Sequence, residues 1–356
     1  MTRDEPAQPI GWMSAADFTD CVYGPNPPHG FALDHTVVER TPFCALTRFA
    51  GGGATPVLLV APLSGQHATL LEDMVEGLLP EHDVYVTDWA DARDVPLAAG
   101  PFGLEDNIAV VADCIRRLGP DVHVVAVCQS AVPALAATAL LAADGDVQPR
   151  SLVLMGGLID TRLGETRVGR VARSLSLAWL DRAVIARVTP AFPGHGRRVY
   201  PAWAQRAALR AYLARHVEVG AAPGREVGLR GDAALGDPRV CRALMTLMDV
   251  PAELFLDNIA AVFQDCALPR GTLRWRDRPV EPAAITETGL MTVEGAFDDI
   301  SGRGQTHAAH DLCRQVPAAR RCRHDQAGVG HFGLYAGAVW RRDVLPRVRD
   351  FIHAQA

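Results

Sequence analysis

The chain contains no lysine; all 35 of its basic residues are arginine. So one-sided a choice reflects codon usage in a GC-rich genome rather than a demand of function. Acidic residues outnumber the basic ones, 41 to 35, for a formal net charge of −6. A nucleic-acid binder needs a basic face, so that class is set aside. Long apolar runs are missing too. No stretch approaches the roughly 18 to 20 apolar residues that cross a bilayer, and no membrane span is expected. The opening, MTRDEPAQPIGW, lacks an apolar h-region, so no secretory signal is expected. The eight cysteines (Cys21, Cys44, Cys114, Cys128, Cys241, Cys266, Cys313 and Cys322) include no CxxC pair and no zinc-ligand spacing. Scattered through a chain this large, they predict reduced thiols in a cytoplasmic protein rather than a disulfide framework. Internal repeats and long low-complexity tracts are absent as well.

Core-forming residues are plentiful. The 356 residues are 49% apolar and 21% charged, ordinary for a soluble globular protein and enough for one large domain with an insertion. Residues 1–54 carry many Pro, Gly and turn signals and read as an N-terminal arm with a hairpin at TPFCALTRFA. Over residues 55–160, apolar runs (PVLLVAP, HDVYVTDWA, VHVVAV, RSLVLMGG) alternate with stretches of helical spacing (SGQHATLLEDMVEGLLP, GLEDNIAVVADCIRRLG, then Pro133 to Ala143). The alternation predicts an α/β class, a mostly parallel twisted sheet flanked by helices. Between 161 and 285 the rhythm breaks, and TRVGRVARSLSLAWLDRAVIARV and PAELFLDNIAAVFQDCALP read as helices of an inserted lid. It returns over 286–356 with TGLMTVEG, a helix-like GQTHAAHDLCRQV, the Gly-rich AGVGHFGLY and a final helix near AVWRRDVLPRVRDFI.

In HVVAVCQSAV two nucleophiles, Cys128 and Ser130, stand where a strand turns into a helix. That is the position of the nucleophile elbow in the α/β-hydrolase fold. Such a turn needs small residues two before and two after the nucleophile. Cys128 has Ala126 and Ser130 there, whereas Ser130 would have Cys128 and the β-branched Val132. The frame favours Cys128, with Ser130 as a packing residue, and the start of the following helix favours an anion at that point. In this fold the order is nucleophile, acid, histidine. AFDDISGRGQT follows a predicted strand and offers Asp298 as first choice of acid, Asp299 as second; AGVGHFGLY places His331 before the last helix. The oxyanion donors would be the N–H of Gln129 and one from APLSGQH, Leu63 or Ser64. His307 and His310, three apart on a predicted helix, come with no carboxylate motif, and His324 sits near a strand. No metal and no cofactor are expected.

Together APLSGQHATLL, YVTDWADARDVPL, VCQSAVP, LMGGLIDTR, VEGAFDDISGRGQT and GVGHFGLY closely resemble the intracellular polyhydroxyalkanoate (polyhydroxybutyrate) depolymerases, from about Pro56 to Ile352. The resemblance implies a Cys–Asp–His hydrolase that cleaves amorphous storage polyester at granules in bacteria, with Cys128, Asp298 and His331 as its triad. Cytoplasmic location at the granule surface, a polyester partner and a homo-oligomer are further expectations. Aromatic residues of the lid (Trp179, Trp203, Phe255 and Phe263) would wall the substrate site, although aromatic residues in a lid more often belong to the core. Two rivals stand beside this reading: a polyester-synthase-like acyltransferase or thioesterase acting on 3-hydroxyacyl-CoA, and a non-catalytic granule scaffold.

Overall fold

The computed structural model of the protein describes residues 15–218 and 228–356, apart from residues 26, 28, 54, 230 and 231. Its centre is an eight-stranded sheet. The strands, numbered in chain order, are β1 (Thr36–Arg40), β2 (Cys44–Phe49), β3 (Pro56–Val60), β4 (Asp83–Trp89), β5 (His123–Val127), β6 (Ser151–Met155), β7 (Gly289–Gly295) and β8 (Arg321–Gln326). They lie in the order β1-β2-β4-β3-β5-β6-β7-β8. β2 pairs antiparallel with β1 and with β4, and every other pairing is parallel.

Composition explains this order. β5, β6 and β7 are buried along their whole length, as the unbroken runs HVVAV, SLVLM and GLMTVEG require of strands covered on both faces. The edge strands TVVER and RCRHDQ carry charges and are largely exposed or half-buried, which blunts a free sheet edge. The hairpin expected within 41–50 spans a wider stretch: β2 supplies one strand and TVVER the other, with the turn at Thr41–Phe43. Residues 36–49 thereby extend the main sheet rather than stand apart from it.

After β3 the chain runs to β4 on one side and then to β5 on the other. Open α/β sheets bind ligands at such a reversal, outside the carboxyl ends of the strands. Among the described residues four α-helices precede β6: α1 (Ala15–Tyr23), α2 (Glu72–Leu78), α3 (Leu104–Leu118) and α4 (Ala131–Ala143). α3 buries Leu104, Ile108, Val111 and Ile115 on one face, with acids in its first turn and arginines in its last, matching the helix dipole. α4 is apolar all round and buried from Ala131 to Leu141.

Among the described residues between β6 and β7 lie five α-helices of the insertion: α5 (Arg167–Ser174), α6 (Leu177–Ala183), α7 (Ala202–His216), α8 (Pro238–Met245) and α9 (Ala252–Asn258). Arg197 fastens it to the core. Its buried guanidinium donates to the carbonyls of Val95 (3.0 Å), Gly100 (2.7 Å) and Pro96 (2.5 Å) and lies over the Phe43 ring. GQTHAAHDLCRQV is helical only at Ala309–Leu312. The buried Glu294 carboxylate takes the N–H groups of Gly304, Thr306 and His307, drawing the segment before it into turns.

One expectation is corrected. Cys21 of α1 and Cys241 of α8 form a disulfide, their Cα atoms 6.6 Å apart across 220 residues of sequence, so only six of the eight thiols are free. Spacing could not reveal a pair that only the lid brings together.

Arg197→Met leaves three carbonyls in a closed joint without their donor. The substitution should destabilise the fold by about 3 kcal/mol, read as a lowered urea midpoint at unchanged slope.

Candidate active site

β5 ends at Val127, and Cys128 turns the chain through φ +57° before α4 begins. A side chain in this left-handed region costs about 1–2 kcal/mol. Ser130 holds the turn. Its buried hydroxyl accepts from Val127 N–H (2.8 Å) and lies 2.7 Å from the Val60 carbonyl and 2.8 Å from that of Val127. Ser130 thus stitches β5 to β3 from below, while Cys128 is partly exposed and lines a cavity. The expectation of Ser130 as a packing residue is sharpened: it acts as a hydrogen-bonded brace.

Asp298 and His331 come together. Asp298 follows β7 and His331 follows β8, two parallel neighbours whose ends lie side by side. His331 Nδ1 is 2.7 Å from Asp298 Oδ2, and both side chains are about 1% exposed. The other carboxylate oxygen accepts from the backbone of Ile300 (2.9 Å) and Ser301 (2.8 Å), so Asp298 is held at both ends. Cys128 and His331 line the same cavity, and among the described residues buried Nε2 has no hydrogen-bond partner. Burial opposes a charged ring, but Asp298 and Cys128 outweigh it and hold the His331 pKa well above the usual histidine value. Phe332 and Tyr335 set their rings edge-on to it. Gly156, at φ +56°, passes so close that a Cβ would lie 3.0 Å from the imidazole.

Asp299 points elsewhere. It accepts from the Tyr212 hydroxyl (2.9 Å) and lies 2.9 Å from His216 Nε2, both on α7. Of the proposed oxyanion donors, Gln129 follows Cys128 in the turn into α4. Leu63 is buried and Ser64 lines the same cavity as Cys128. Among the described hydrogen bonds, neither Leu63 N–H nor Ser64 N–H donates to another residue. His307 and His310 share the Thr292 hydroxyl, and His307 faces Asp325 at 3.4 Å and Glu294 at 3.8 Å. The carboxylates missing from their local motif therefore arrive from β7 and β8. His324 lies on β8, hydrogen-bonded to Gln326.

The cavity measures about 280 Å³ and is mostly apolar, walled by Leu70, Val168, Leu209, Ile300 and Tyr335, with Tyr200 and Tyr212 from the lid. The lid aromatics expected here do other work. Trp179 and Trp203 are exposed, Phe255 stacks on Tyr200, and Phe263 is buried in the core.

Sequence reasoning missed Asp232. From the lid, its buried carboxylate accepts from Phe332 N–H (2.7 Å) and Gly333 N–H (3.3 Å) through Oδ2, and from Ala234 N–H (3.2 Å) through Oδ1. Burial raises its pKa to about 6, although those N–H groups and His331 favour the charge. Against the unperturbed carboxylate, keeping Asp232 ionised costs on the order of 3 kcal/mol. Because the folded-state value is raised, this cost is absent below about pH 4 and complete above about pH 6. Its only local signal was an Asp ahead of a turn, and its partners lie a hundred residues on. Tyr212 and His216 were missed for the same reason.

Sheet order, elbow and His–Asp pair define an α/β-hydrolase. Known structures agree: an esterase from Thermogutta terrifontis with malate bound has a TM-score of 0.51 at 15% identity, over 90% of this chain and 99% of that one. An epoxide hydrolase from Bacillus megaterium scores 0.53 at 11% identity, over 90% and 100%. A bromoperoxidase from Bacillus anthracis scores 0.53 at 11%, over 90% and 99%. No curated protein matches the chain. Residues 156–356 match the model of the PHB de-polymerase C-terminus, and the chain belongs to that family. It is a carboxylic ester hydrolase.

Ser130→Ala should lower stability by about 1–3 kcal/mol, the cost of stranding a buried N–H, while the protein keeps measurable esterase activity. Thermal unfolding and a p-nitrophenyl ester assay read the two effects separately.

Proposed function

We propose that the protein hydrolyses poly(3-hydroxybutyrate) or a related polyhydroxyalkanoate through Cys128, His331 and Asp298. The observation that carries the reading is a partly exposed thiol on a left-handed elbow, lining one cavity with a buried imidazole whose far nitrogen is fixed by a carboxylate. His331 Nε2 takes the thiol proton of Cys128. The Cys128 sulfur attacks the ester carbonyl, forming a C–S bond and pushing the carbonyl pair onto oxygen. There the N–H of Gln129 and that of Leu63 or Ser64 receive it. Collapse expels the chain fragment as an alkoxide, which takes the proton from His331 Nε2. Water then gives a proton to the same nitrogen and attacks the thioester carbon. The free acid leaves, and the thiol–imidazole pair is restored. Asp298 holds the ring tautomer throughout.

Family membership supports the polyester substrate. So does the apolar cavity, which fits a methyl-bearing chain, and so do exposed Trp179, Trp203 and Phe297, which a hydrophobic granule surface would cover. Among the described residues no helix is long and apolar enough to cross a membrane.

The test assays wild type and variants on amorphous polyhydroxybutyrate without added CoA. Wild type should release 3-hydroxybutyrate or its oligomers. Cys128→Ala and Asp298→Asn should each lose about 10³-fold or more in kcat, and Asp299→Asn should stay within about tenfold. Full turnover by Cys128→Ala with a dead Ser130→Ala would overturn the assignment. Product formation only when CoA is supplied would transfer the chain to the acyltransferase class.

A further inference from the structure

The loop that carries His331 has glycine on both sides, at Gly330 and Gly333. The Asp232 side chain packs against both, with Val329 closing on Gly333 as well. A Cβ on Gly330 would stand 2.7 Å from the Asp232 Cβ, and one on Gly333 would stand 2.9 Å from Asp232 Oδ1. The two backbone N–H groups that follow His331, those of Phe332 and Gly333, both end on Asp232 Oδ2. Among the described hydrogen bonds these two N–H groups reach no other acceptor. The orientation of the imidazole is therefore set from two directions: Asp298 grips the ring, and Asp232 grips the backbone beneath it.

We infer that Asp232 is a positioning residue for His331, a carboxylate supplied by the lid that aims Nε2 at Cys128 and adds negative charge behind the imidazolium. The inference rests on the Cys128–His331–Asp298 reading above. Its second part follows from the charges present. The titratable groups facing Asp232 are His331 from the loop after β8, Tyr335 beyond it and Tyr212 from α7. Asp298, Asp299 and Cys128 supply the remaining charge around those tyrosines. Only His331 in this set can become a cation, so removing the Asp232 charge weakens the imidazolium first. A carboxylate kept buried and ionised for geometry trades stability for rate, whereas a plain structural cap stabilises.

The discriminating experiment compares wild type, Asp232→Asn, Asp232→Ala and Cys128→Ala on a short p-nitrophenyl ester, with Tm measured at pH 8. Asp232→Asn keeps one acceptor oxygen and should lose about tenfold in kcat, Asp232→Ala about a hundredfold, each with KM within about twofold. The alkaline limb of kcat/KM, where the imidazolium gives up its proton, should move to lower pH in both variants. Tm of Asp232→Asn at pH 8 should equal or exceed that of wild type. A Tm that falls in step with kcat would make Asp232 a structural cap and overturn the inference. Unchanged kcat and pH profile in both variants would overturn it as well. Either result with an inactive Cys128→Ala leaves the active-site reading standing, whereas an active Cys128→Ala removes the reading itself.

Discussion

The structure depends on one unfavourable backbone conformation. Cys128 adopts φ +57°, a region that a side-chain-bearing residue visits at a cost, and the surrounding chain is built to hold it there. Ser130 locks the turn to β3 and to its own strand through one buried hydroxyl. The small side chain of Ala131 starts α4 beneath Gly157, where a Cβ would come within 2.5 Å of it. Held this way, the sulfur stands at the crevice that the sheet order opens between β3 and β5. A relaxed turn would bury the sulfur or point it along the strand, and the pair formed by Asp298 and His331 would face nothing.

Around that turn the chemistry is assembled by neighbours in the sheet rather than in the sequence. β7 and β8 bring the acid loop and the histidine loop side by side, and the insertion then closes over both. α7 reaches the acid loop through Tyr212 and His216 on Asp299. The segment before α8 reaches the histidine loop through Asp232. The insertion is therefore a second support for the Asp298 and His331 loops as well as a wall of the cavity. Its attachment through Arg197 and the Cys21–Cys241 pair couples the geometry of the site to the integrity of an element that sequence alone presents as a plain interruption.

Much of this was legible beforehand because it is local. Buried parallel strands read as unbroken aliphatic runs, and VHVVAV followed by CQSAVP announces strand, turn and helix within ten residues. The small residues flanking Cys128 favoured it over Ser130 by crowding alone. Asp298 was preferred to Asp299 by its distance from a glycine, and the structure does pair Asp298 with His331. What stayed hidden is long-range. Asp232 and its partners are a hundred residues apart, and the cysteine pair spans 220. The helical reading of GQTHAAHDLCRQV holds only at Ala309–Leu312, and the segment before it is tied instead to Glu294, a β7 residue, through three N–H groups. Which lid aromatics meet the cavity stayed open because periodicity says which residues are apolar, not which face of a lid they share.

The proposed reaction passes through a covalent bond to one sulfur. The most direct test quenches the enzyme in acid during turnover of a 3-hydroxybutyrate oligomer and sequences the peptides by mass spectrometry. A single hydroxyacyl group on Cys128, lost on treatment with neutral hydroxylamine, is the predicted result. A hydroxyacyl group on Ser130, or turnover by an enzyme whose Cys128 is irreversibly alkylated, would contradict it.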